Sequence, residues 1–200
     1  MPDKETVKEQ IRAAFAHSEY PGDWCLRGSN EGDEPFWVER DFKGKTDWRV
    51  VEPEFIDQAP DGLASALSFF SDEAFHFFLP AYMIADIDDR LERSNPVFHL
   101  THGLDDTSRN ERINPRRYGE RTWFHRISCK YAMFTKLEAA AIVGYLRLKA
   151  ESDSFHREPI EQALRNYWIP RMGELGAPPN GGPGTRLGNS GVAEGPPSVS

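Results

Sequence analysis

His99-Leu100-Thr101-His102 sets two imidazoles three residues apart, a spacing that would aim both at one metal ion if the segment were helical. Two ligands do not close a site, and a third would have to come from His76, His125 or a distant carboxylate. Ordinary surface or core histidines are therefore the expectation, with no metal and no cofactor. Asp86, Asp88 and Asp89 form an acidic cluster, but Asp86 with Arg90 and Asp89 with Arg93 have the i,i+4 spacing of a salt-bridged helix face. The glycine and terminal Glu of an EF-hand are missing from it. Cys25 and Cys129 could act as nucleophiles with His17 or His125 as base, although such pairs arise by chance in any chain of this size. No nucleophile elbow, phosphate-binding loop, dinucleotide fingerprint or HExxH is present.

The basic segment is the more informative feature. Arg109, Arg112, Arg116, Arg117, Arg121, Arg126 and Lys130 are interleaved with Tyr118, Trp123 and Phe124, a mixture that can grip an acidic protein surface or hold phosphates and stack on bases. From Thr107 to Lys130 seven bases stand against two acids, a balance of +5, whereas Glu31 to Asp61 holds ten acids against four bases, a balance of −6. The whole chain carries −8, which disfavours nucleic acid and anionic lipid as partners of the surface at large. Arg112, Arg116, Arg117, Tyr118, Arg121 and Trp123 are the candidate binding residues. The competing reading is an internal one, in which these arginines bridge to the chain's own acidic region.

These residues must be held by helices. Val7, Ile11, Ala14 and Phe15 recur at helical spacing and predict an amphipathic first helix ending near Ser18. Tyr20-Pro21-Gly22-Asp23 suits a type II turn, with Trp24 leaving it ready to pack back. Phe36 to Phe42 reads as a short extended segment. Asp61 is a plausible cap for a helix through Leu63, Ala66, Leu67 and Phe70. Ser71 can cap the next, with Asp72 and Glu73 in its first turn and Phe75, Phe78, Leu79, Tyr82 and Met83 on its apolar face; Pro80 should kink or restart it. Val97 to Leu104 has no clear period, and Asp105 to Arg121 reads as a long exposed loop. Thr135-Lys136-Leu137-Glu138 is a capping box heading a helix to about Glu151, and a last helix spans about Pro159 to Met172.

The expected architecture is mainly α: a compact multi-helix domain over residues 1–172 with at most a small extended or β segment. The Gly/Pro/Ser-rich stretch 173–200 is expected to be a disordered tail. The charged, amphipathic N-terminus has no secretory signal pattern, and two cysteines far apart suit a reducing compartment, so the expected location is the cytoplasm. Ala74 to Ile87, the most apolar stretch, is interrupted by His76, Pro80 and Asp86 and falls short of the roughly 20 residues of a membrane span.

Pro21-Gly22-Asp23, then Phe42-Lys43-Gly44 with Trp48, then Phe77-Phe78-Leu79-Pro80-Ala81-Tyr82 together resemble an uncharacterised bacterial domain-of-unknown-function family. Phe134-Thr135 with Glu138, Ala163-Leu164 and Tyr167-Trp168 are similar to that family's closing helices, and the match runs in order from about Val7 to Trp168. The resemblance implies a small cytosolic helical protein and brings no activity with it. The Arg-rich loop before Trp123 is longer than the family's usual connection, and the tail has no counterpart there.

Charge segregation without a catalytic motif points first to a non-enzymatic protein-binding module of the immunity or adaptor type. The alternatives are an enzyme, such as a metal-dependent hydrolase, with a site assembled from distant residues, and a weak nucleic-acid binder acting through the arginines.

Overall fold

Burial on nearly every side distinguishes one helix from all the others. The computed structural model describes residues 3–173, and in it α4 (Asp72–Ile87) buries Ala74, Phe75, Phe77, Phe78, Leu79, Pro80, Ala81, Tyr82, Met83, Ala85 and Ile87. An all-round apolar helix belongs in the middle of a core. Ser71 caps it by accepting the Ala74 N–H at 2.9 Å, and Asp72 and Glu73 lie in its first turn as expected. Pro80 does not break the helix; lacking an N–H, it leaves the carbonyl four residues earlier, at His76, without its usual helical donor.

Around α4 the chain wraps in short helices. α1 (Lys4–Ala14) turns Val7 and Ile11 inward, with Phe15 buried just past its end, and packs on α4 and on α8 (Lys136–Ser152). α8 starts with the expected capping box: Thr135 accepts from the Glu138 N–H at 3.2 Å, and Glu138 accepts from the Thr135 N–H at 2.7 Å. α9 (Arg157–Ala163), a π-helical turn over Leu164–Trp168 and α10 (Ile169–Gly173) continue one another along α8. The π turn, in which the Ile169 N–H reaches Leu164 O, lets the rod continue to Pro170, which cannot donate. Trp168 is fully buried and donates its indole N–H to Leu100 O at 2.9 Å, tying this end to the centre.

Several expectations are corrected. Phe36 to Phe42 is not extended but belongs to α2 (Glu34–Phe42), where Pro35, Val38 and Phe42 are buried at helical spacing. Asp61 accepts the Leu63 and Ala64 N–H groups without starting a helix; Leu63 is exposed and only a 3₁₀ turn, Ala66–Ser68, follows. Val97 to Thr101 lies in α5 (Pro96–Thr101), capped by Asn95. The exposed loop is broken by α6 (Pro115–Tyr118) and followed by α7 (Trp123–Tyr131), and its Asp105 and Ser108 are buried.

Gly22 takes a positive φ of 91°, but its ψ of 153° is not that of a type II turn, and Trp24 is 83% exposed instead of packing back. Asp86 pairs with Lys149 and Asp89 with Lys4, while Arg90 reaches Glu54; α4 ends at Ile87, so the i,i+4 pairs have no helix to sit on.

α3 (Pro53–Ile56) completes the elements and packs on α4. The described residues contain isolated bridges at Arg27 with Phe70 and at Arg112 with Thr122, and no strand. No helix among them is long and apolar enough to cross a membrane. The tail expected from residue 173 lies, beyond Gly173, outside the described residues.

Candidate functional site

α7 begins at Thr122, whose hydroxyl accepts the His125 N–H. From there Trp123, Arg126, Ile127 and Lys130 follow at i, i+3, i+4 and i+7, which places all four on one helix face. That face is one wall of a cleft of about 670 Å³. The opposite wall is the start of α4 with the segment before it, where Gly28 N–H donates to Phe69 O at 2.7 Å and Ser71 donates its hydroxyl to Cys25 O at 2.6 Å. α5 supplies Phe98, His99 and His102.

Two of the cleft's cations are matched, and among the described residues its Glu73 carboxylate takes only the Cys25 thiol, at 3.6 Å. Arg126 makes a two-pronged pair with Asp72 at 2.8 and 2.9 Å, and Arg27 pairs with Glu39. Lys130 differs. Its ammonium lies 3.5 Å from the centre of the Phe75 ring, and among the described residues it makes no hydrogen bond or ion pair. Burial lowers its pKa to about 8, with Asp72 acting to raise it and Arg126 to lower it further.

His99 is pushed down to about 3 by burial, then by Lys130 and His102, so it is neutral at physiological pH. Its Nε2 lies 3.3 Å from the Ser65 hydroxyl, and its carbonyl accepts the Tyr131 hydroxyl. His102 stacks on Phe98 with centroids 5.0 Å apart and meets Trp123 edge-on at 4.9 Å. The two histidines share Phe98, which also meets His99 edge-on with centroids 5.5 Å apart. No group of three His, Cys, Asp or Glu among the described residues is placed to hold a metal ion.

Of the sequence-predicted binding residues whose side chains are described, only Trp123 lines this cleft. Arg112, Arg116, Tyr118 and Arg121 lie on an excursion closed by the Arg112–Thr122 bridge, with Ile113 N–H donating to Arg121 O and Trp123 N–H to Glu111 O, both at 3.0 Å. Arg112 pairs with Glu120 at 2.8 Å. Arg116 and Arg121 are exposed, and among the described residues their side chains have no ionic or hydrogen-bonding partner. Tyr118 is 38% exposed, and the side chain of Arg117 lies outside the described residues. The ion pairs of Arg109, Arg112 and Arg126 run to Asp106, Glu120 and Asp72, none of them in the acidic region 31–61.

The sequence analysis names Arg126 and Lys130 in the basic segment but leaves them and Ile127 out of the candidate binding residues. Their i, i+3, i+4 and i+7 spacing with Trp123 was the available signal.

A family model described as Family of unknown function (DUF6714) matches residues 3–172. The chain belongs to this family. No curated protein and no solved structure gives a significant match to it. The residues that carried the resemblance to a family of unknown function do structural work in this DUF6714 chain. Asp23 accepts from the Tyr20 hydroxyl at 2.5 Å and from the Gly44 N–H at 3.0 Å, with Gly44 at φ 73°; Phe42, Phe78, Leu79 and Tyr82 are fully buried.

Proposed function

We propose that this DUF6714 protein is a non-enzymatic protein-binding module, of the immunity or adaptor type, that docks an acidic patch of its partner on the excursion between Arg112 and Thr122. The observation that carries the reading is the pair Arg116 and Arg121, held out on a backbone-closed excursion without counter-ions among the described residues. Arginines in that position contribute orientation and association rate by meeting an opposite potential. Tyr118 and Trp123 beside them are of the residue types that anchor interfaces.

The test is affinity capture from host lysate at moderate salt with the full chain and with an Arg116→Ala, Arg121→Ala double variant. One protein retained by the first and lost by the second is the expected result. Retention unaffected by the double substitution would remove the excursion from the interface. Tight binding of a random single-stranded oligonucleotide that collapses between low and moderate salt would reassign the arginines to phosphates.

A further inference from the structure

The excursion and the cleft are separate features, and the cleft has its own chemistry. Its lining combines apolar surface from Phe69, Phe98, Trp123 and Ile127 with one ammonium that forms no hydrogen bond or ion pair among the described residues. The charged and titratable groups that line the cleft with Lys130 are Asp72 and Glu73 from α4, Arg126 and Tyr131 from its own helix, His99 from α5 and His102 at its C-cap, and Arg27 from the segment before α4. Asp72 is engaged by Arg126, Glu39 by Arg27, the Glu73 carboxylate takes only the Cys25 thiol at 3.6 Å, and His99 is neutral, so among the described residues the ammonium has no ion-pair partner.

A half-buried cation without an anionic partner gains from one supplied by a ligand. The charge count also sets which anion. A phosphate monoester brings nearly two negative charges at neutral pH into a cleft that already holds the Glu73 carboxylate, whereas a carboxylate brings one. A volume of about 670 Å³ suits a small organic molecule.

We propose that the cleft binds a monocarboxylate with a small apolar body, its carboxylate paired with the Lys130 ammonium and its body against Phe98, Trp123 and Ile127. Such a ligand is either a free organic acid or the C-terminal residue of a peptide, and the two share the chemistry that Lys130 recognises. The lowered proton affinity of Lys130 makes binding pH-sensitive: it weakens as pH rises past about 8, where the ammonium discharges.

The experiment is calorimetric titration of the full chain with phenylacetate, with its methyl ester, with inorganic phosphate, and with acetyl-Ala-Phe bearing either a free or an amidated C-terminus. The wild type and the variants Lys130→Met and Lys130→Gln are compared, each first confirmed folded by circular dichroism. Phenylacetate or the free-acid peptide is expected to bind at least about tenfold tighter than its uncharged counterpart, and to lose that margin in both variants. The tighter of the two acids identifies the source. Equal binding of acid and ester, binding untouched by the Lys130 variants, preference for phosphate, or no saturable binding up to about 20 mM overturns the proposal. Arg116→Ala with Arg121→Ala leaves carboxylate binding unchanged, so failure here and failure of the protein-binding reading are told apart.

Discussion

Two groups, Lys130 and His99, sit in the same cleft and respond oppositely to its low polarity in charge terms: the lysine keeps its charge at neutral pH and the histidine gives its charge up. The consequence for stability follows from His99. Its folded pKa of about 3 lies below the ordinary 6.5, so between those values the unfolded chain binds a proton that the folded one refuses. Stability is therefore full above pH 6.5 and declines as pH falls, by at most about 1.4 kcal/mol per pH unit for one proton. Glu138 is shifted in the same direction for a different reason: burial raises its pKa, but the hydrogen bonds from His76 and Thr135 outweigh that and hold it below the ordinary 4.5, so its contribution is lost only in stronger acid. The window from pH 6.5 to 5 isolates the histidine from that carboxylate. Urea denaturation across it should show a smaller loss for His99→Gln, which keeps a polar group near Ser65 without a proton to gain. Parallel slopes for the two proteins would mean that His99 is charged in the fold.

At the scale of the element, α8 is secured by one carboxylate doing several jobs. Glu138 accepts from the Thr135 N–H, from His76 Nε2 at 2.9 Å and from the Ser18 hydroxyl at 3.4 Å, joining α8 to α4 and to the chain just past α1. Thr135→Ala removes only the cap and should cost about 1 kcal/mol. Glu138→Ala strands a buried donor on His76 as well and should cost about 2–3 kcal/mol. Thermal melts separate the two: for a chain of this size each kcal/mol is about 2–4 °C. If the two variants melt together, the tie to His76 contributes nothing. The same elements show what a sequence discloses. α1, α4 and α8 were legible because a cap residue and an apolar period coincide in each. α2 was read as extended because Phe36-Trp37-Val38 looks like a strand, although only Val38 of the three is buried and the period runs through Pro35, Val38 and Phe42. α5 and α7 were missed for another reason. α5 is too short for its period to repeat, and α7 spends its patterned face on a cleft lined with cations, where hydrophobicity is a poor guide. The candidate site was hidden by that same choice.

For the molecule as a whole, the buried apolar residues run from Val7 to Trp168 and form one cluster, with Phe42, Phe70 and Phe78 at one side and Tyr131, Phe134 and Trp168 at the other. The chain's ends are spent on its middle: α1 packs on α4 and α8, and Trp168 holds the Leu100 carbonyl. A core joined in this way is expected to melt as one unit, as small single domains do. Residues 1–173 are thus expected to unfold in one transition with a midpoint within about 2 °C of the 200-residue chain, the shift expected of less than about 1 kcal/mol. Removing residues 1–17 is expected to abolish the cooperative transition, since it strips Val7, Ile11 and Phe15 from the face of α4 and α8. Calorimetry decides both. Two separate transitions in the shorter chain would divide the cluster into independent cores, and a midpoint lowered by more than about 5 °C would assign the Gly/Pro-rich stretch a share in the fold.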